Sequence, residues 1–222
     1  MCLSQLNKLY GQINKEQDKD IIASISGNTV IDIGSGLGTL SNRLRDQKFD
    51  VVSIEPNPDS AKIASDVFGI EALQYSIYNT PFEDDKFETA IMRECTEHLD
   101  MELALNEIRR ICSKRVIIFQ TNLNTLTTLL RKRGGHDEYN PQNLYYYQDV
   151  LKKYGFTQQH IVYRDPFAFP LSGGYSCKQL IPHSVKLEKM IVWTDAQINK
   201  LLRVIHVQKY LCWRYILIAD KP

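Results

Sequence analysis

Three glycines at alternate positions follow a short hydrophobic run, and this feature constrains the fold more than any other. Residues 30–38 read VIDIGSGLG. A β-rich run that enters glycines and then a helix is typical of the first strand–loop–helix turn of a parallel sheet, where such folds bind ligands. Glycines there allow a tight backbone turn and close approach of a ligand. The sequence therefore predicts a ligand-binding loop at this position.

The rest of the chain alternates strand-like and helix-like segments. Further strands are predicted at 51–54, 87–92, 116–119, 156–162 and 211–219, and helices at 3–25, 58–68, 98–112 and 143–154. This alternation predicts an α/β fold, a doubly wound sheet with helices on both faces. Two less regular stretches, 121–142 and 166–195, are expected to act as lids, because long irregular segments in a compact domain are often functional.

Length and composition restrict the class of protein. A chain of 222 residues suits one domain, and 27 basic against 26 acidic residues leave a net charge of +1. Such a balance carries no electrostatic footprint for nucleic acid or an anionic membrane, although it is compatible with a local basic patch. No apolar run reaches the roughly 20 residues of a membrane span. The N-terminus also lacks the continuous apolar stretch of a signal peptide, so we expect a cytoplasmic protein. The five cysteines lack metal-ligand spacing, so we expect no metal.

The glycine spacing separates two kinds of ligand. The dinucleotide pattern G-x-G-x-x-G would place its third glycine at Thr39, whereas the third glycine here is Gly38. An acid directly before the loop, Asp32, disfavours a pyrophosphate and favours a cationic amino or sulfonium group. Glu55 ends the second strand at the spacing at which an acid meets a ribose diol, a device that nicotinamide enzymes share. The loop thus favours an S-adenosylmethionine (SAM)-type ligand, and Glu55 leaves both ligands open.

Several motifs in order resemble a known family. They are VIDIGSGLG at 30–38, VVSIEPNP at 51–58, TPFEDDKFETAIMRECTEHL at 80–99, and the stretch from His136 to Phe156. Over residues 28–162 the chain resembles the class I, Rossmann-like SAM-dependent methyltransferases, in their small-molecule branch. The resemblance implies seven strands in the order 3-2-1-4-5-7-6, mostly parallel with an antiparallel last strand.

The resemblance also implies a domain plan and a cofactor site. One methyltransferase domain would span 1–222, with an N-terminal helix at 1–26, a core at 28–165, an insertion or cap at 166–210 that matches nothing in the family, and the last strand at 211–219. The family commonly has an acid for the adenine amino group where this chain has a serine. The residues implied to bind SAM are Asp32, Gly34, Ser35, Gly36, Gly38, Glu55, Pro56, Ser76, Ile77, Met92 and Arg93.

Methyl transfer from a sulfonium is an in-line displacement whose leaving group departs neutral, so positioning can supply most of the rate acceleration. A general base matters only when the acceptor is a hydroxyl or a protonated amine. His98 and His136 are the candidate bases, since histidine titrates near neutral pH. The other interpretation is local hydrogen bonding at a helix start for His98 and a solvated loop for His136. Segments 121–142 and 166–195 are predicted to build the acceptor pocket, with Phe167 and Phe169 excluding water.

Three functions follow from these observations. The first is a methyltransferase acting on an oxygen or nitrogen of a small molecule. The second is a non-catalytic SAM-binding protein, which no obligatory catalytic side chain distinguishes from the first. The third is a nicotinamide-dependent oxidoreductase, disfavoured by Thr39 and Asp32. A nucleic-acid acceptor is not expected, because residues 92–95 (MREC) lack the Asn/Asp-Pro-Pro-aromatic signature of amino-group methylation. A monomer and a homodimer are both compatible with the sequence.

Overall fold

The computed structural model describes residues 11–123, 125, 142–166 and 184–222. The elements alternate much as the sequence predicts, with one further helical region before the last strand. In chain order they are α1 (Gln12–Ala23), β1 (Thr29–Ile33), α2 (Thr39–Asp46), β2 (Asp50–Ile54), α3 (Pro58–Phe68), β3 (Phe87–Arg93), a 3₁₀ helix (Thr96–His98), α4 (Met101–Ile111), β4 (Cys112–Thr121), α5 (Leu144–Lys153), β5 (Gln158–Arg164), α6 (Val185–Val204), α7 (Gln208–Leu211) and β6 (Arg214–Asp220).

Local chemistry explains where several helices begin and end. The Asn57 side chain accepts hydrogen bonds from the first-turn amides of α3, and Gly69 ends that helix in a left-handed conformation. The Asp100 side chain caps the first turn of α4 in the same way. Each cap satisfies backbone groups that a helix leaves unpaired at its ends. These helices therefore start and stop where the sequence supplies a capping side chain or a glycine.

The six strands form one sheet in the order β2-β1-β3-β4-β6-β5. The pairs β1–β2, β1–β3 and β3–β4 are parallel. The last strand runs the other way: the Lys221 amide, at its end, donates to the Lys114 carbonyl near the start of β4. The Thr157 amide, at the start of β5, donates to the Asp220 carbonyl at the end of β6. The antiparallel last strand predicted from the family resemblance is confirmed.

The prediction of seven strands is wrong, because six strands form among the described residues. Removing the edge strand from the expected order leaves the observed one. In its place, Leu73 makes a single parallel bridge to Ile54, through hydrogen bonds that involve the backbones of Ser53 and Glu55. The side chains of residues 73–76 are exposed. An edge segment that buries so little apolar surface gains too little to order a full strand.

Both faces of the parallel part of the sheet are covered. Consecutive residues of a strand point to opposite faces, and β1 is buried at four successive positions, from Val30 to Ile33. The β4 strand is buried at five successive positions, from Val116 to Gln120. Such continuous burial is expected for strands covered on both sides and agrees with the predicted doubly wound architecture.

The described residues form two compact units. The larger unit comprises Ile21–Gln120, Leu144–Ile161 and Ile216–Pro222, and it contains the glycine loop. The smaller unit comprises the remaining described residues and includes α6. In the smaller unit, Ile13 of α1 and Ile191 of α6 form a hydrophobic cluster. The first half of the predicted N-terminal helix and part of the predicted insertion, 167–183, lie outside the described residues.

An ion pair joins the two antiparallel strands at one end of the sheet, within the larger unit. The Arg115 guanidinium contacts both carboxylate oxygens of Asp220, at 2.5 and 2.8 Å, and also donates to the Ser24 carbonyl at 2.6 Å. The pair is partly exposed, so solvent screens it. Its two parallel hydrogen bonds still fix the geometry.

We expect Asp220→Asn to lower the free energy of unfolding by about 1 kcal/mol, because asparagine has no negative charge and only one oxygen to accept from Arg115. Urea unfolding at neutral pH measures the change. Asp66→Asn, at an exposed position of α3, is the matched control and should change the stability by less than about 0.5 kcal/mol. Equal effects of the two substitutions would contradict a stabilising role for this pair.

Candidate functional site

The carboxyl ends of three parallel strands meet at one edge of the sheet in the larger unit. The strand register pairs Ile33 with Ile54 on one side and with Met92 on the other. The residues that follow these positions therefore lie at the same edge. They are the glycine loop, Glu55 and Arg93, which the sequence predicts as parts of one cofactor site.

The glycine loop is folded onto the end of β2. The amides of Gly34 and Ser35 donate to the Ile54 carbonyl at 2.9 and 3.1 Å, and the Gly38 amide donates to the Ser35 carbonyl at 3.0 Å. Gly34, Gly36 and Gly38 have φ values of 67°, 55° and 75°. Side chains strain such left-handed backbone, so glycine at the three alternating positions avoids this strain.

The three glycines also differ in what surrounds them. A Cβ added at Gly34 would lie 2.8 Å from the Cβ of Cys95, and one at Gly38 would lie 2.9 Å from the Cβ of Ala64. A Cβ at Gly36 would have no atom within 4 Å. Gly34 and Gly38 are thus needed for packing of the chain against itself. Gly36 leaves open space where a ligand can approach the backbone.

Glu55 lies beside this space and is held by backbone amides. Its Oε2 accepts a hydrogen bond from the Gly36 amide at 2.8 Å, and its Oε1 accepts one from the Asn57 amide at 2.8 Å. The residue is only 8% exposed. An ionised carboxylate has about four acceptor positions, so two remain after these bonds. The carboxylate is therefore pre-oriented and can still accept two hydroxyl protons.

Asp32 is enclosed at the end of β1. It is 1% exposed, and its carboxylate accepts a 2.5 Å hydrogen bond from the Ser41 hydroxyl of α2. The Ser53 hydroxyl of β2 in turn donates to Ser41 at 2.8 Å. Burial raises the pKa of Asp32 to about 6, opposed in part by the Ser41 hydrogen bond and by the positive charge of Arg93. The two serine partners were not predicted from the sequence.

Met92 and Arg93 end β3 next to the loop. Met92 is fully buried, while Arg93 is half-buried with its guanidinium carbon 5.5 Å from the centre of the Phe119 ring. A cation over an aromatic face is attracted by the ring quadrupole, so this contact helps to hold the arginine. The Arg93 charge favours ionisation of Asp32. Arg93 therefore acts electrostatically on Asp32 from the neighbouring strand.

The remaining predicted cofactor residues differ in their surroundings. Ser35 has an enclosed hydroxyl oxygen that makes no hydrogen bond within the described part of the chain. Pro56 and Ser76 are exposed, and Ile77 is buried. The Ser76 hydroxyl accepts only a long 3.4 Å hydrogen bond from the Tyr78 amide. Thus the Ser35 hydroxyl has an unmet hydrogen-bonding capacity, and the Ser76 hydroxyl is only weakly engaged.

Of the two candidate bases, His98 is among the described residues and His136 is not. His98 ends the 3₁₀ helix that follows β3 and has an exposed side chain. Its amide donates to the Cys95 carbonyl at 3.1 Å. His136 lies outside the described residues, as do Phe167 and Phe169, so their predicted roles stay predictions.

A buried polar network behind the 3₁₀ helix was missed at the level of sequence. Gln120, near the end of β4, donates to Thr96 at 2.7 Å and to Glu97 at 2.5 Å, and the hydroxyls of Thr96 and Tyr147 are 2.9 Å apart. Tyr147 is the buried member of the Tyr145-Tyr146-Tyr147 run, whereas Tyr145 is exposed. The partners are distant in sequence. The one signal in the sequence was that three adjacent tyrosines on a helix point in different directions, so that one of the tyrosines can be buried.

Cys95 is a second contact that residue type did not reveal. Its thiol donates to the Ile33 carbonyl at 3.1 Å, and burial raises the pKa of the thiol. A neutral thiol is a poor nucleophile, and this half-buried one serves as a packing group. Cys95 therefore packs against the backbone of Ile33 and Gly34, where the glycine loop begins. The described residues contain no cluster of three or more His, Cys, Asp or Glu side chains that could hold a metal ion.

The burial of Asp32 predicts a particular pH dependence of stability. A folded-state pKa of about 6, above the ordinary value of 3.8, means that the folded protein binds the proton more tightly than the unfolded chain. The stability from this group is present below about pH 4 and is lost as the pH rises through 6. Asp32→Asn should therefore become more stable relative to the parent protein by up to about 3 kcal/mol between pH 4 and 7. Urea unfolding across this range measures the difference. The exposed control Asp46→Asn should show a flat difference, and a flat difference for Asp32→Asn would contradict the raised pKa.

Comparison with known proteins agrees with this geometry. Residues 31–119 match the family model of a methyltransferase domain. That segment runs from β1 to β4 and contains both acids and all three loop glycines. No curated protein matches the chain in sequence. Within the described ranges, every helix is too short or too polar to traverse a lipid bilayer.

Solved structures share the fold at low sequence identity. A SAM-dependent methyltransferase from Archaeoglobus fulgidus is 19% identical with a TM-score of 0.68, and the match covers 97% of each chain. A SAM-dependent methyltransferase from Thermotoga maritima, described as a possible histamine N-methyltransferase, is 14% identical with a TM-score of 0.70, covering 99% of this chain and 94% of that one. Geranyl diphosphate C-methyltransferase from Streptomyces coelicolor A3(2), solved with Mg²⁺, geranyl diphosphate and S-adenosylhomocysteine (SAH), is 14% identical with a TM-score of 0.63, covering 95% and 80%. Residues 31–119 thus match a methyltransferase domain, and the chain shares the fold of solved SAM-dependent methyltransferases.

Proposed function

We propose that this enzyme transfers the methyl group of SAM to an oxygen or nitrogen of a small-molecule acceptor, with the cofactor held between Gly36 and Glu55. The observation that carries the proposal is the open space over Gly36 beside a carboxylate that two backbone amides hold in place. A ligand with a ribose diol fits this arrangement, because it can lie against bare backbone while two hydroxyls donate to Glu55.

The other residues of the site suit a cofactor with a cationic end. Ionised Asp32 is a buried negative charge near the loop, and a positive ligand group would stabilise it. The enclosed Ser35 hydroxyl can donate or accept a hydrogen bond that the described chain does not supply. A pyrophosphate would meet Asp32 and Glu55 as like charges. These features favour SAM over the nicotinamide dinucleotide considered from the sequence. Thr39 also disfavours the dinucleotide, because it stands where the dinucleotide pattern has its third glycine.

The chemistry asks mainly for positioning. When bound, SAM supplies a methyl group on a sulfonium, and the transfer leaves a neutral thioether. The chain's part is to orient the cofactor through Glu55 and the loop, to present the acceptor in line, and to exclude water. His98 is our candidate for a base if the acceptor must lose a proton, since it follows the strand end that carries Arg93. His136 remains the alternative from the sequence.

The acceptor itself is left open between small-molecule classes. The similar structures include a possible histamine N-methyltransferase and a geranyl diphosphate C-methyltransferase, so one fold serves chemically unlike acceptors. We retain the hypothesis that segments 121–142 and 166–195 build the acceptor pocket. Residues 185–195 of the second segment begin helix α6, so the prediction that they are irregular is wrong. Most of both segments lies outside the described residues, and for those parts the hypothesis rests on their irregular sequence.

We expect SAM and SAH to raise the melting temperature of the protein, because a ligand that binds only the folded state adds RT ln(1 + [L]/Kd) to its stability. NAD, NADP and FAD should produce no shift in the same thermal-shift panel. A shift with NAD and none with SAM or SAH would refute the proposal.

Gly36→Val should abolish the SAH-dependent shift, since its side chain fills the space over the loop. The matched control is Gly69→Val. Gly69 also has a left-handed φ, of 61°, and a Cβ there would come no closer than 3.9 Å to another residue. The control carries the same backbone strain outside the site and should keep SAH binding. Unchanged SAH affinity of Gly36→Val by calorimetry would place the ligand elsewhere.

Glu55→Gln should weaken SAH binding about 10- to 100-fold by calorimetry. The amide nitrogen of glutamine cannot accept from a backbone N–H or a ribose hydroxyl, and the loss of hydrogen bonds to a charged acceptor corresponds to about 1.5–3 kcal/mol. Glu71→Gln, at an exposed position after helix α3, is the control and should bind SAH as the parent does. Wild-type affinity in Glu55→Gln would rule out a ribose contact by this carboxylate.

A further inference from the structure

Helix α6 in the smaller unit is apolar on two opposite faces. One face packs inward through the buried residues Ile191 and Leu202. The opposite face carries large apolar side chains that no other described element covers. An amphipathic helix of a globular protein normally exposes polar side chains there. The second face of α6 therefore calls for a separate explanation.

The exposed apolar side chains lie in a row, interrupted by Gln197, along one side of the helix. Met190, Trp193, Leu201 and Val204 are 58%, 65%, 61% and 73% exposed. With Gln197 between them, their positions follow each other at intervals of three or four residues, the spacing that aligns side chains along one side of a helix. We call these four residues the exposed stripe. Large exposed apolar side chains aligned on one face mark an interaction site more often than scattered apolar residues do.

All exposed charges around the exposed stripe are positive. Between Ser184 and Leu211 the side chains of five basic residues are exposed: Lys186, Lys189, Lys200, Arg203 and Lys209. The two acids of the same range, Glu188 and Asp195, are buried, and Glu188 accepts a hydrogen bond from the Gln12 amide at 2.9 Å. Lys189 and Lys200 lie one and two helical turns from Trp193, beside the exposed stripe. The surface thus combines an apolar centre with a basic rim.

We propose that the exposed stripe binds the surface of an anionic lipid membrane, with α6 lying in the plane of the interface. A helix with a tryptophan- and leucine-containing face beside lysines has the chemistry of an interfacial helix, whose apolar side enters the headgroup region while the lysines meet anionic lipids. Trp193 suits the boundary between headgroups and acyl chains. The inference does not depend on the cofactor site.

Charge decides between a membrane and a second copy of this chain. Two copies joined through the exposed stripe would bring two basic rims together, and like charges across an interface oppose association. An anionic membrane has the opposite sign. The balanced net charge of the whole chain does not conflict with this proposal, because the acids that offset these lysines lie on other surfaces or are buried in α6.

Flotation of the full-length protein with vesicles tests the proposal. Vesicles of phosphatidylcholine mixed with phosphatidylglycerol should carry the protein, and vesicles of phosphatidylcholine alone should not. Binding should weaken as salt is raised, because surface charges are screened. Trp193, the exposed one of two tryptophans, should shift its emission to shorter wavelength on binding, and Trp193→Phe should abolish the shift. The buried Trp213 supplies the unshifted background.

Matched variants separate the apolar and the charged contributions. Leu201→Glu should lower the vesicle partition coefficient more than about tenfold. Leu103→Glu, at a 56% exposed leucine of α4 in the larger unit, should leave it unchanged. Lys189→Gln with Lys200→Gln should lower it about fivefold per lysine, and the exposed pair Lys62→Gln with Lys152→Gln should not.

Three outcomes would overturn the proposal. They are no binding to anionic vesicles, equal binding to neutral ones, and equal effects of Leu201→Glu and Leu103→Glu. A dimer in sedimentation equilibrium that Leu201→Glu dissociates, without vesicle binding, would assign the exposed stripe to a second copy instead.

Discussion

The hydrogen bond between the Gly36 amide and the Glu55 carboxylate holds the site together. It joins the loop after β1 to the loop after β2, and the Asn57 amide secures the same carboxylate from the other side. The Ile54 carbonyl reinforces this arrangement by accepting from Gly34 and Ser35. Because the loop is held at both its start and its middle, the backbone at Gly36 can stay open to a ligand without collapsing onto the sheet.

The two acids of the site have opposite environments and therefore different tasks. Glu55 is bound by amides and retains acceptor capacity toward open space. Asp32 is enclosed with Ser41 and Ser53, and its burial makes the ionised form less favourable. We infer that Glu55 recognises the ligand by hydrogen bonding, whereas Asp32 anchors the start of α2 and contributes charge. Methyl transfer needs little side-chain chemistry, so this arrangement and the acceptor segments carry most of the proposed function.

Helix α6 has a basic surface although the net charge of the whole chain is close to zero. Over the whole chain, acidic and basic residues nearly cancel. In the smaller unit, burial of Glu188 and Asp195 removes the only acids of the helix from its surface and leaves a basic rim around apolar side chains. The balanced net charge of the whole chain argued against binding to an anionic membrane. The proposed membrane contact rests on which side chains the fold exposes.

The sequence by itself determined the α/β class, the glycine loop and the acid at the end of β2, because these depend on local patterns. The antiparallel last strand was implied by the resemblance to a known family and not by any pattern in the strand itself. The sequence pattern predicted six strands, and the seventh was implied only by the family resemblance; the structure has a single bridge from Leu73 to Ile54 in its place, because the exposed residues around Leu73 bury too little apolar surface. The sequence could not assign separate tasks to Gly34, Gly36 and Gly38, whose difference lies in contacts with Cys95 and Ala64 far along the chain. Only the tertiary structure identifies the hydrogen-bond partners of Asp32, Tyr147 and Gln120, and only it shows that α6 has two apolar faces. The physical reason is that hydrogen bonding and desolvation depend on distance in space and not on position in the chain.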